Sequence, residues 1–315
     1  LKTILKIAVS FGLLYLLLKK ININKFLDNF LNFSIEAILG CVLLLFLSWV
    51  VSVYKWRLLL PKIGYGQLML ASFIGQFYTT VLPGQIAGEI AKAYRLGKGR
   101  EDAEKIAASV LVDKLTGLLG VIVVAAGGVI TSRLQVSPEI SLSIGMVMLI
   151  FTIGLFCIKL PFVYNISTTL LINLTCRWPR FEPFLLQIFR LLRAWEEYLS
   201  YPLRLASVFF VGIAFQLIGV WITFLISQAF GIFVTFSDFC WITGLVSIAV
   251  LLPISFGGIG VREGAFVGIL SLQGVPIEKS IALSLAIFAF SLIGAIIGGM
   301  LEVYFIALSR NASNH

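Results

Sequence analysis

Three groups of residues could do chemistry in a chain that is otherwise almost entirely apolar. The first is Leu82-Pro83-Gly84-Gln85-Ile86-Ala87-Gly88-Glu89, followed by Lys92, Tyr94 and Arg95. A Pro-Gly break that opens a helix leaves backbone N–H groups free, and such an end attracts phosphate or carboxylate. Lys92 and Arg95, further along the same short helix, suit a lipid phosphate, whereas Lys98 and Arg100 read as ordinary anchor charges. The second is Pro253-Ile254-Ser255-Phe256-Gly257-Gly258-Ile259-Gly260-Val261-Arg262-Glu263. Gly257, Gly258 and Gly260 permit positive φ and close backbone approach, and Arg262 is suited to bidentate phosphate binding. The bland alternative is that Arg262 and Glu263 pair with other protein groups and only fix the fold. The third is Asp113-Lys114 inside an apolar run. Adjacent residues face different sides of a helix, so at least one turns inward. An ion pair from Asp113 to Arg95 or Arg262 is the expectation, serving structure or transport equally.

The elements that must position these groups follow from composition. The chain has 315 residues, of which 59% are hydrophobic and 12% charged, with a mean hydropathy of +1.03. These values exclude most soluble enzymes and disorder, and point to a polytopic membrane protein. The net charge of +9 fits cytoplasmic loops and anionic headgroups better than nucleic acid. Cys41, Cys157, Cys176 and Cys240 form no CxxC pair, and the single histidine is His315. A disulfide framework, a zinc site and histidine-based catalysis are therefore disfavoured. No P-loop, HExxH, GxSxG or dinucleotide fingerprint is present, and no cofactor is expected.

Six full spans are expected near residues 3–19, 36–58, 106–131, 140–159, 204–230 and 279–308. Two further segments are too short or too broken to cross. Gln67–Leu82 stops at Pro83-Gly84 and is followed by Ile86–Arg95; Phe239–Leu252 stops at Pro253 and is followed by Val261–Leu272. Backbone groups freed by Pro and Gly are tolerated within a membrane only where protein or a water-filled cavity covers them. Both segments are therefore read as re-entrant helix pairs. The fold class is an all-α polytopic membrane protein with about six full transmembrane helices and two opposed re-entrant pairs. It is one domain over 1–315, with pseudo-symmetric halves near 1–135 and 136–315. Most Lys and Arg outside the spans, Lys55 among them, sort to the side of the N and C termini, which places both termini in the cytoplasm. The first pair then enters from the cytoplasm and the second from outside, and such paired interruptions point to a transporter site.

Lesser features have structural readings. Lys25–Phe33 and Phe184–Tyr198 are amphipathic and read as interfacial helices or surface connectors. Gly294 and Gly298, with Gly299 beside them, match a helix-packing spacing. Asp238 and Glu302 are candidates for interfacial positions.

The motifs resemble one known family, the lysylphosphatidylglycerol synthase transmembrane region, also described as flippase-like integral membrane proteins. The resemblance is carried by Tyr54-Lys55-Trp56-Arg57, Leu82-Pro83-Gly84 with Gly88-Glu89, and Ala93-Tyr94-Arg95. Ala108-Ser109-Val110, Asp113-Lys114-Leu115-Thr116-Gly117 and Pro253 to Glu263 complete it. The resemblance implies a membrane domain that moves lipids between leaflets, in the stand-alone form without the soluble aminoacyl transferase. The chain departs from the family pattern where Asp113-Lys114 replaces Glu-Arg, and at the Gly84-Gln85 turn.

The expected function is a flippase-like transporter of a phospholipid or polyprenyl-phosphate-linked lipid in the inner (plasma) membrane. Arg95 and Arg262 would hold the phosphate, and Glu89, Asp113 and Glu263 would orient those cations or pair with a cationic headgroup. The full candidate set is Pro83, Gly84, Glu89, Lys92, Arg95, Asp113, Lys114, Pro253, Gly257, Gly258, Gly260, Arg262 and Glu263. Two other classes compete: a membrane-embedded lipid-linked glycosyltransferase, and a non-transporting partner of a lipid-modifying enzyme. Expected partners are a membrane lipid and no nucleic acid, with a second copy or a lipid-modifying enzyme as further options.

Overall fold

The computed structural model describes residues 34–82, 86–132, 146, 197–198, 200–251 and 257–313. The expected span at 3–19, that at 140–159 apart from Met146, the stretch Lys25–Phe33, and Pro83, Gly84 and Pro253 lie outside them, as does most of Phe184–Tyr198.

Among the described residues the chain is all helix. In order these are α1 (Ile35–Leu59), α2 (Tyr65–Val81), α3 (Ile86–Gly97), α4 (Ala103–Thr131), α5 (Pro202–Ala229), α6 (Phe236–Leu251), α7 (Val261–Ser271) and α8 (Ile277–Ser313). Four of them, α1, α4, α5 and α8, are long and apolar enough to cross a membrane, and they correspond to four of the six expected spans. The other four are short and fall into the pairs α2–α3 and α6–α7, each joined across a Pro/Gly-containing break. At the N terminus of α1 the Ser34 hydroxyl accepts from the Ala37 N–H at 3.2 Å, satisfying a donor that helix geometry leaves unpaired.

Two apolar cores sit at opposite ends of the bundle. One joins the N-terminal half of α1 to the C-terminal halves of α4 and α5 and to α6, α7 and α8 through Ile226, Phe239, Ile242, Leu270 and Leu283. The other joins the C-terminal half of α1 to the N-terminal halves of α4 and α5 through Trp56, Leu59, Ile106 and Val208. Tyr198 belongs to this second core. Its hydroxyl donates to the Leu59 and Lys105 carbonyls at 3.3 and 3.4 Å, and burial pushes its phenol pKa up. The C-terminal end of the Phe184–Tyr198 stretch is thus packed into protein at Tyr198, while its neighbour Glu197 is exposed and pairs with Lys105.

Helix α2 is held by backbone-close crossings on two sides. A methyl group at Gly88 of α3 would lie 1.8 Å from Thr79 Oγ1 and 2.4 Å from the Gly75 carbonyl. One at Gly298 of α8 would lie 1.9 Å from the Phe73 carbonyl. The Gly294/Gly298 spacing is therefore a packing device, as small residues at membrane helix crossings generally are.

Candidate functional site

Between the two cores the bundle turns polar. Asp113 lies about 15 Å along α4 from its first residue, roughly half the thickness of a bilayer's hydrocarbon core. An isolated carboxylate at that level is costly, and here it is paired twice. Lys55 of α1 lies 3.1 Å from Asp113 Oδ1 and Lys92 of α3 lies 3.2 Å from Oδ2. Lys92 also approaches Glu89 Oε2 at 3.6 Å, and Lys114 approaches Glu89 Oε1 at 3.8 Å. The result is an alternating ionic chain, Lys55–Asp113–Lys92–Glu89–Lys114, drawn from three helices. Lys55 and Lys92 are only 5% and 8% exposed.

The surroundings of the chain hold it in one geometry. Lys92 Nζ sits 4.1 Å over the Trp56 ring, a cation–π contact. The Trp56 indole N–H in turn donates to Ser109 Oγ at 3.0 Å. The Lys55 stem runs through a slot between glycines: a methyl group at Gly117 would lie 3.4 Å from its Nζ, and one at Gly212 3.3 Å from its Cε.

The ionic chain forms one wall of a cavity of about 440 Å³. Arg262, in the first turn of α7, stands on another wall. Its Nη2 donates to the Gly257 carbonyl at 3.1 Å and its guanidinium lies 5.5 Å from the Phe288 ring. Among the described residues its buried Nη1 has no hydrogen-bond partner and no carboxylate lies within ion-pair distance. The turn that aims it requires glycine: Gly257, Gly258 and Gly260 have φ of 56°, 80° and 85°, where a Cβ is disfavoured. The first of these, Gly257, faces the end of α2: a methyl group there would lie 3.5 Å from the Thr80 carbonyl. A second cavity of about 370 Å³ adjoins the first and shares Ser52, Glu89, Lys92 and Thr223 with it.

The described part of the candidate set thus divides. Glu89, Lys92, Asp113, Lys114 and Arg262 line the cavity, and the three glycines build the turn behind Arg262. Arg95 does not line it; its guanidinium stacks on Phe305 at 4.4 Å, on the third turn of α3, one turn past Lys92. The expected pairing of Asp113 with Arg95 or Arg262 is replaced by Lys55 and Lys92, which approach Asp113 from α1 and α3. Glu263 is also not a cavity residue. It is 1% exposed, its Oε2 accepts from the Gly260 N–H at 2.5 Å, and its Oε1 accepts from Ser284 at 2.9 Å. It caps its own helix, so a protein carboxylate already takes one of the N–H groups at the start of α7.

Lys55 and Trp56 are the residues that sequence reasoning missed. Lys55 sorts by charge with the loop residues, yet it is buried in the ionic chain. The signal was the Tyr54-Lys55-Trp56-Arg57 motif, where a lysine beside a tryptophan lies within, rather than after, an apolar run. Asp238 is likewise buried, at 1% exposure, accepting from Thr235 and Ser132 at 2.5 Å each. Glu302 accepts from the Tyr78 hydroxyl at 3.2 Å and ties α8 to α2. Among the described residues no cluster of His, Cys, Asp and Glu has the makings of a metal site.

Four long apolar helices, two short broken pairs and a buried charged cavity between them define a polytopic membrane protein. The chain belongs to the family described as the lysylphosphatidylglycerol synthase TM region, whose model matches residues 3–299. That membership relates it to membrane proteins of lipid modification and flippase-like function. The chain matches no curated protein and no solved structure.

Proposed function

We propose that this protein moves a phospholipid or a polyprenyl-phosphate-linked lipid between membrane leaflets, and does so as a transporter rather than an enzyme. The observation that carries this reading is the cation-rich cavity midway along the bundle, lined by Lys55, Lys92, Lys114 and Arg262. A site at that depth, beside two helix breaks, is what alternating access to a headgroup requires. The pairs α2–α3 and α6–α7 would be re-entrant, bringing their turns together from opposite faces. The nearness of Gly257 to the Thr80 carbonyl, a gap that one methyl group would fill, supports this. Arg57, Lys62, Lys105 and Arg204 gather at the end of the bundle where α1 finishes and α4 and α5 begin. This favours a cytoplasmic assignment for that end in the inner (plasma) membrane.

Asp113 and Glu89 favour binding over catalysis. Each is engaged by two lysines, which leaves neither placed as a general base for a glycosyltransferase.

Reconstitution tests the reading. Proteoliposomes carrying labelled phospholipid or polyprenyl phosphate should show movement between leaflets, and Arg262→Ala should abolish most of it. Movement equal to that of protein-free vesicles, or unaffected by Arg262→Ala, overturns it. Cysteine accessibility at Gly84 and Gly257 checks the topology: the two positions should label from opposite sides.

A further inference from the structure

Resting on that reading, we infer that the cavity accepts an anionic lipid headgroup and rejects one of net positive charge, such as an aminoacylated phosphatidylglycerol. The case is one of which charges remain available. Among the described residues four basic and two acidic side chains line the cavity, an excess of two positive charges. Both carboxylates are already used. Asp113 Oδ1 and Oδ2 face Lys55 and Lys92 at 3.1 and 3.2 Å, and Glu89 Oε2 and Oε1 face Lys92 and Lys114 at 3.6 and 3.8 Å. Each of these oxygens therefore has an ammonium within 3.8 Å, although Asp113 Oδ1 and Glu89 Oε2 accept no hydrogen bond among the described residues.

An incoming amine would meet carboxylates that lysines already face and would add to the positive excess, whereas an incoming phosphate would offset it. Arg262 offers the phosphate the buried Nη1, which has no hydrogen-bond partner among the described residues. Glu263, the carboxylate next to Arg262 in the chain, is committed to the Gly260 N–H and Ser284 and does not neutralise it through an ion pair. Low polarity around the site strengthens both effects, because like charges repel and unlike charges attract more strongly away from water. Discrimination of this kind comes as much from repulsion of the wrong ligand as from attraction of the right one.

The same phosphate chemistry could come from a lipid or from free phosphate in water, so the test separates them. Proteoliposomes are made with labelled phosphatidylglycerol, polyprenyl phosphate, phosphatidylethanolamine or lysyl-phosphatidylglycerol. The anionic lipids should move at least about tenfold faster than the lysyl lipid, a difference of ~1.4 kcal/mol. Lys114→Gln, which releases Glu89 Oε1 at a half-buried position, should narrow that ratio while the protein stays folded. Equal or faster movement of the lysyl lipid overturns the inference and leaves the transport reading standing. If no lipid moves, the transport reading fails, and binding in detergent decides the selectivity. There phosphatidylglycerol should raise the melting temperature more than lysyl-phosphatidylglycerol does; the reverse order overturns the inference. Stabilisation by inorganic phosphate equal to that by phosphatidylglycerol also overturns it, by making the site one for a free anion.

Discussion

Lys55 grips Asp113 at two points: its ammonium lies 2.7 Å from the Asp113 backbone carbonyl and 3.1 Å from Oδ1. One lysine thereby fastens α1 to both the main chain and the side chain of α4. The approach is open because Gly117 and Gly212 leave room for the lysine stem. This fastening makes the ionic chain part of the fold as well as a wall of the cavity.

Asp113→Asn should therefore be strongly destabilising, because it leaves Lys55 and Lys92 buried around a neutral group. Removing one partner of a buried ion pair costs about 3–5 kcal/mol. Thermal unfolding in detergent should show a large fall in melting temperature. Lys55→Met should be milder, since Asp113 keeps Lys92. A double-mutant cycle over Lys55 and Asp113 should give coupling of about 0.5–3 kcal/mol; additive effects would refute the fastening.

Gly88→Ala should separate α2 from α3. The added methyl meets Thr79 Oγ1 and the Gly75 carbonyl at distances no packed atoms tolerate. Gly264→Ala in α7, where nothing lies within 4 Å, is the control. Overpacking costs roughly 1–3 kcal/mol, so size-exclusion profiles and melting temperatures should fall for the first variant and stay level for the second.

Glu263→Ala should lower stability while sparing the site. It leaves the Gly260 N–H and the Ser284 hydroxyl without their acceptor, a loss of about 1–3 kcal/mol. Lipid movement per folded molecule should hold near the native level, which melting and vesicle assays on one preparation would establish. A selective loss of movement with unchanged melting would place Glu263 in the binding step instead.

Arg95→Gln should leave headgroup selectivity intact, because Arg95 stacks on Phe305 and does not line the cavity. Arg262→Gln should remove most movement of anionic lipid. Comparison of the two variants in the same vesicles distinguishes a ligand-facing arginine from an anchoring one.

The long helices were legible in the sequence because apolar runs of membrane length have few alternatives. Their observed ends differ by at most three residues for α1, α4 and α5, as at Ala103 rather than residue 106. At helix ends polar residues extend the hydrogen-bonded turn without meeting lipid. The breaks at Leu82-Pro83 and Leu252-Pro253 were legible because Pro and Gly act locally. Pairing was not. Nothing in the spacing says that Asp113 meets Lys55 from fifty-eight positions away in preference to Arg95 or Arg262. That choice depends on helix rotation and on the slot between Gly117 and Gly212. For Glu263 the alternative of a partner within the protein is the one seen: a carboxylate three residues after a glycine turn reaches back to its own backbone.

Gly257 faces the Thr80 carbonyl across a gap that one methyl group would fill, so the turn that carries Arg262 lies beside the end of α2. On the proposed reading, a headgroup that drew Arg262 toward it would pull on Gly257 through the Nη2 bond and so on the turn that faces the end of α2, and loading the site would then strain its own wall.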